Sequence, residues 1–178
     1  MVKPSINQTK EWRKSQSWYI NGKHNECEKY QISLIEKITK TKVNKTNKRI
    51  NLKTSKLEDV KKKMNILEWT ENFDGYQLNN EKTIYYNLKM ICGSGGGQTR
   101  ALREVYHFVM AQKGYLKKYK DSNVLFVNIL DGDYCAKKIK LLKEFENEQI
   151  FIGSMSELFN PQVFNSMRFN LQVKRGDK

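Results

Sequence analysis

The chain has 178 residues and 21.1 kDa, with 33 Lys and Arg against 19 Asp and Glu, a formal net charge of +14. That length suits a single domain, 1–178, able to bury a real core, and eight Phe, nine Tyr and three Trp supply bulky material for it. So lopsided a charge speaks of a partner, and a polyanion such as nucleic acid is the natural one. No apolar run approaches the roughly 18 residues of a spanning helix and no signal peptide is visible, so a membrane role is not expected and a cytoplasmic location is. Cys27, Cys92 and Cys135 are odd in number and far apart, without a CxxC pair. They form neither a disulfide scaffold nor a zinc site, and His24 with Cys27 completes no metal set. The Arg175–Asp177 tripeptide R-G-D reads as coincidence in a terminal tail.

Residues 1–23 read as a polar N-terminal extension whose Trp12, Trp18 and Tyr19 must pack somewhere. Asn25 is a good cap for a helix running to about Thr39, with Tyr30, Leu34, Ile35 and Ile38 in one stripe and Glu28 and Glu36 on the same helix. Next comes T-K-T-K-V-N-K-T-N-K-R-I-N-L-K-T-S-K, Thr39 to Lys56, within which 41–56 reads as a basic loop. It is either a solvated linker or an arm that lays Lys45, Lys48 and Arg49 along phosphates. A short helix is predicted over Lys56–Asn65, with Leu57, Val60 and Met64 on one side.

The most informative stretch runs from Glu71 to Arg103, E-N-F-D-G-Y-Q-L-N-N-E-K-T-I-Y-Y-N-L-K-M-I-C-G-S-G-G-G-Q-T-R-A-L-R. Folded as a hairpin turning at Asn80-Glu81, it pairs residues whose numbers sum to 161, so that Asp74 lies opposite Asn87. Asn87 and Lys89 share a strand face, while Ile84, Tyr86, Leu88 and Met90 turn to the core. An acid, a metal-capable oxygen and a lysine on one patch can hydrolyse a phosphodiester; the plain alternative is an amphipathic hairpin with a polar face. The loop Gly93 to Gly97 can take backbone conformations closed to other residues and leads into a helix over about Gln98–Lys113, with Leu102, Val105, Tyr106 and Val109 inward. A buried strand Val124–Leu130, a helix over about Cys135–Glu146 and a short strand Ile150–Ile152 follow. The order of elements predicts an α/β fold, with helices on both faces of a central mixed sheet.

The motif Asp74 within F-D-G, then Asn87-Leu88-Lys89, resembles the PD-(D/E)XK nuclease superfamily, in which an Asp near the hairpin start precedes (Asp/Glu)-x-Lys on the next strand. Within it the chain looks most like DpnII-type restriction endonucleases, which cleave GATC sites. Those also carry F-D, a short Asn-Glu turn, an acid-x-polar strand, a Gly/Ser-rich loop and an Arg-bearing helix. The likeness covers roughly residues 24–135, extends to Val124–Gly132, and reaches back to Glu28, where such nucleases often place another acid. It implies a three-layer restriction-endonuclease-like fold and Mg²⁺-dependent cutting of double-stranded DNA by a homodimer at a short symmetric site. Asp74 would ligate the Mg²⁺ with the Leu88 carbonyl, and Lys89 would orient or deprotonate the water. Ser94, Gly95, Gly96, Gly97, Gln98 and Thr99 would offer N–H groups to a DNA phosphate, and Arg100 and Arg103 would reach the backbone or base edges.

Position 87 departs from the motif, because Asn is neutral and a poorer Mg²⁺ ligand than Asp. The missing acid has moved to Glu104 on the next helix, or Glu71 or Glu28 serves instead, or Asn87 replaces a natural Asp, which isostery favours. Two other classes compete. Strand, G-S-G-G-G-Q-T and helix imitate a phosphate-binding P-loop, but Gln98 stands where its lysine belongs, which argues against a nucleotide cofactor. A non-catalytic nucleic-acid binder would need only the basic charge and the aromatics; magnesium-dependent cutting separates it from the nuclease.

Overall fold

The computed structural model describes residues 5–20, 23, 25–60, 65, 67–120 and 122–166. A 3₁₀ turn, Ser5–Asn7, precedes α1 (Lys10–Lys14) and α2 (Asn25–Thr39). Strands β1 (Lys48–Ile50) and β2 (Leu57–Asp59) follow, then β3 (Gly75–Asn79), β4 (Lys82–Met90) and α3 (Gly96–Lys118). The chain continues through β5 (Val124–Asp131), α4 (Asp133–Lys138), α5 (Lys140–Lys143), β6 (Ile150–Gly153), α6 (Met155–Leu158) and α7 (Pro161–Ser166).

The main sheet has the order β3-β4-β5-β6, with β3 antiparallel to β4 and both β5 and β6 parallel to their neighbours. A parallel neighbour requires a crossover, and α3 supplies it between β4 and β5. The hairpin register runs from Gly75↔Tyr86 to Asn79↔Lys82, so the predicted pairing is the observed one. Asn80 takes φ 54° in the turn, a conformation Asn tolerates better than most residues.

Alternation along β4 and β5 splits the core in two. Ile84, Tyr86, Leu88, Leu125, Val127 and Ile129 pack with Ile35 of α2 and Met155 and Leu158 of α6. Tyr85, Ile91, Phe126 and Leu130 pack on the other face with Val105, Phe108 and Val109 of α3 and with Leu142 of α5. The fold is therefore α/β, a mixed four-stranded sheet between helices, with a separate two-stranded sheet β1-β2.

Several boundaries differ from the predicted ones. The helix expected over Lys56–Asn65 begins instead as β2, which pairs antiparallel with β1; residues 61–64 lie outside the described set. The supposed basic loop 41–56 thus contains a strand, because Ile50 is fully buried and its N–H donates to Thr70 Oγ1 at 3.0 Å. A local pattern read as helical was overridden by cross-strand pairing. The helix predicted over Cys135–Glu146 is two short ones, α4 and α5, and α3 extends beyond Lys113 to Lys118. The R-G-D tripeptide and His24 lie outside the described residues.

The N-terminal segment is bound into the body of the protein. Ser5 Oγ donates to Asp131 Oδ1 at 3.0 Å, the Gly132 N–H to Gln8 Oε1 at 3.1 Å, and the Asp133 N–H to the Gln8 carbonyl at 3.1 Å. Trp18 stacks on Tyr30 of α2 with ring centroids 4.4 Å apart, and Trp12 meets both rings edge-on.

Candidate active site

The C-terminal end of β4 opens into a cleft of about 470 Å³ between the first two turns of α2 and the second turn of α3. Asp74, Lys89 and Glu28 line it together, with Gln31, Arg13 and Tyr19. Asp74 stands one residue before β3, and its N–H donates to the Tyr86 carbonyl at 2.9 Å, which extends the hairpin ladder by one step. Glu28 and Gln31 lie three apart on α2 and so share a helix face.

Asp74 is largely withdrawn from water, and burial raises its pKa to about 6. The Leu88 N–H, donating to Asp74 Oδ2 at 2.6 Å, and the Lys89 ammonium pull it down, while the Glu28 and Glu71 charges push it up. Burial also raises the Glu28 carboxyl, against the opposing pull of Lys89, Lys45 and Lys29. Both carboxyls thus sense Lys89, so acids and ammonium occupy one electrostatic neighbourhood. Leu88, whose N–H makes this hydrogen bond to Asp74, also lines the cleft.

Gln31 is fully buried; its Nε2 donates to the Lys89 carbonyl at 3.1 Å and to Asp131 Oδ2 at 2.9 Å, leaving Oε1 without a partner. Two carboxylates and an unpartnered amide oxygen are hard donors, which suits Mg²⁺, an ion that keeps several of its own waters. Among the described residues, no group of three or more His, Cys, Asp or Glu side chains could hold a metal.

Asn87 is placed elsewhere. It is buried, and its Nδ2 donates to Asn128 Oδ1 at 3.0 Å. Asn128 exchanges two hydrogen bonds with Gln112 of α3, at 2.8 and 2.9 Å, and donates to the Phe151 carbonyl at 3.2 Å. This neutral amide network ties β4, β5, β6 and α3 together, and it leaves Asn87 out of the residues lining the cleft. Glu104 is exposed on α3 and does not line the cleft; Glu71 is exposed but close enough to act on Asp74.

The candidate phosphate contacts separate into two sets. Ser94, Gly95, Gly96 and Gly97 are exposed, Gly95 has φ 148°, and the first turn of α3 has no side-chain cap. A Cβ built on Gly96 or Gly97 would meet nothing within 4 Å, so a ligand could approach the backbone there. Arg100 and Arg103 are exposed on the same helix, and Gln98 is partly exposed in its first turn. The Thr99 hydroxyl already meets the Gly95 carbonyl at 3.3 Å and the Tyr134 hydroxyl at 2.8 Å.

The second set is engaged within the protein. Arg49 donates to the Thr70 carbonyl at 3.0 Å and to Asn72 Oδ1 at 3.2 Å, and Lys48 pairs with Asp59 at 2.9 Å. Lys45 is exposed. Residues that sequence reasoning passed over are Gln31, legible as one turn beyond Glu28, and Arg13 and Tyr19, for which no local signal exists.

No helix among the described residues is long and apolar enough to cross a membrane. Comparison with protein-family models, with curated proteins and with solved structures finds no match to this chain.

Proposed function

We propose that this chain is a Mg²⁺-dependent endonuclease with a restriction-endonuclease-like fold, cutting double-stranded DNA at a short symmetric site as a homodimer. One observation carries the reading: Asp74, Glu28 and Lys89 line a single cleft at the end of the hairpin. The net charge of +14 and the open glycine-rich start of α3 support a polyanionic substrate. Asp74 and Glu28, with the Gln31 amide oxygen, would hold Mg²⁺, which supplies charge neutralisation at the scissile phosphate and a more acidic bound water. Lys89 orients the attacking water and offsets charge growing on the phosphate oxygens. The glycine-loop N–H groups and Arg100 and Arg103 keep the strand in register. Glu28, rather than Asn87 or Glu104, is the second acid in this reading, since it alone of the three lines the cleft.

The test is cleavage of supercoiled plasmid with Mg²⁺. Lys89→Ala is expected to cut at least on the order of 100-fold more slowly while retaining DNA. Equal cutting by Lys89→Ala and its parent removes the assignment. The neutral environment of Asn87 favours one alternative, a nucleic-acid binder without catalysis. That reading predicts salt-sensitive retention of DNA and no product at any Mg²⁺ concentration.

A further inference from the structure

The N-terminal extension supplies part of the wall of the cleft. Hydrogen bonds from Ser5 and to Gln8 anchor its start at the end of β5, and Trp12 and Trp18 wedge it against Tyr30. Between these two attachments α1 is held by its Thr9 cap, whose Oγ1 accepts from the Trp12 N–H at 3.1 Å. Arg13 therefore has a fixed origin, and its side chain lines the same cleft as Asp74, Glu28 and Lys89.

Its guanidinium lies 5.2 Å from the centroid of the Tyr19 ring and interacts with the Cys27 thiol. Burial raises the Cys27 thiol above its ordinary range, against the pull of the Arg13 charge. The Arg13 Nε is buried and unpartnered, and none of the ion pairs among the described residues includes Arg13. A guanidinium set against an aromatic ring on the wall of the cleft, and in none of those ion pairs, suits an oxyanion.

We propose that Arg13 holds a phosphodiester of the bound polynucleotide beside the one presented to Asp74 and Lys89, making the N-terminal segment part of the substrate site. This rests on the nucleic-acid reading above, though not on catalysis. A guanidinium can take two phosphate oxygens at once, so its loss weakens binding to any sequence and removes about one released counterion from the salt dependence.

The experiment measures retention of a fluorescent duplex of about 20 base pairs, in EDTA, across a salt series. Arg13→Met keeps the apolar stem over Tyr19 without the charge, and Arg13→Lys keeps the charge without the fork. Lys117→Ala, an exposed change far along α3, is the control. Arg13→Met is expected to bind roughly 10-fold more weakly with a salt slope smaller by about one, Arg13→Lys to fall between, and Lys117→Ala to lose less than Arg13→Met. Tryptophan fluorescence and thermal melting verify that each variant keeps the Trp12–Trp18 packing.

Equal binding and slope for folded Arg13→Met and parent overturns the proposal while leaving the nuclease reading standing. Should the parent hold no duplex, both fall. Competition by inorganic phosphate settles the source of the anion. Displacement at millimolar phosphate in the parent, lost in Arg13→Met without any change in duplex affinity, would assign the site to a free anion and overturn the proposal.

Discussion

Burial makes the Asp74 carboxylate costly to the folded protein. Its pKa is about 6 in the folded protein against an ordinary value of 3.8. A raised carboxyl favours folding fully only below its unfolded pKa, and that contribution disappears as pH climbs through 6. Above this, the protein carries a charge it has partly stripped of water. Asp74→Asn, which keeps an oxygen for the Leu88 N–H, is therefore expected to melt higher than the parent at pH 8, by roughly 1–3 kcal/mol, with the advantage gone by pH 4. Mg²⁺ should raise the melting temperature of the parent at pH 8 and leave that of Asp74→Asn unmoved. A parent insensitive to Mg²⁺, or an Asp74→Asn protein less stable at pH 8, would contradict the assignment. The place of Asp74 at the start of the hairpin was legible from F-D-G and the strand that follows. Its protonation state was not, because desolvation depends on what the rest of the chain places around it.

At the scale of elements, the hairpin was read correctly in register because two residues in the turn set every pairing above it. What the register could not reveal is which polar side chains on that face reach the cleft. Asn87 and Lys89 lie on one side of β4, yet α3 covers the first and spares the second. Gln112, fully buried on α3, makes the difference by joining Asn128 and so completing an amide network around Asn87. This bears on the motif's missing acid. Asp at 87 would have no N–H for Asn128 Oδ1 and would set a carboxylate against an oxygen that already accepts from Gln112. Asn87→Asp is accordingly expected to lose about 1–3 kcal/mol in urea unfolding and to gain no cutting activity. A stable Asn87→Asp protein with higher nuclease activity would restore position 87 as the absent metal ligand. The β1-β2 pair carries a similar lesson. Lys56–Asn65 has helical spacing in isolation, but a three-residue strand forms there because β1 offers it a partner and Ile50 a buried anchor.

Across the whole molecule, the cleft is assembled from distant parts of the chain: α1, the first two turns of α2, the end of β4 and the second turn of α3. Asp131 helps to hold them in place. Buried, and with its pKa raised by that burial, it accepts from Ser5, from Gln31 and from the Met155 N–H at 3.1 Å. Gln8 works beside it, giving Gly132 its hydrogen-bond acceptor at 3.1 Å. Gln8→Ala leaves that buried N–H without the side-chain partner and should cost about 1–3 kcal/mol in thermal unfolding. It should also weaken duplex retention, because Arg13 loses its fixed origin; unchanged stability and binding would show the N-terminal segment to be an ornament. The sequence by itself determined the alternating α/β order, the hairpin register, the core face of the long strand that carries Ile84, Tyr86 and Leu88, and the cationic character. These follow from short-range periodicity and from composition, which need no knowledge of distant neighbours. Only the tertiary structure decided that Glu28 joins Asp74 and Lys89, that Asn87 is sealed beneath α3, that Arg49 is tied to Thr70 and Asn72, and that Arg13 enters the cleft. Each is a matter of burial and of contacts between residues far apart in the chain, which packing alone creates.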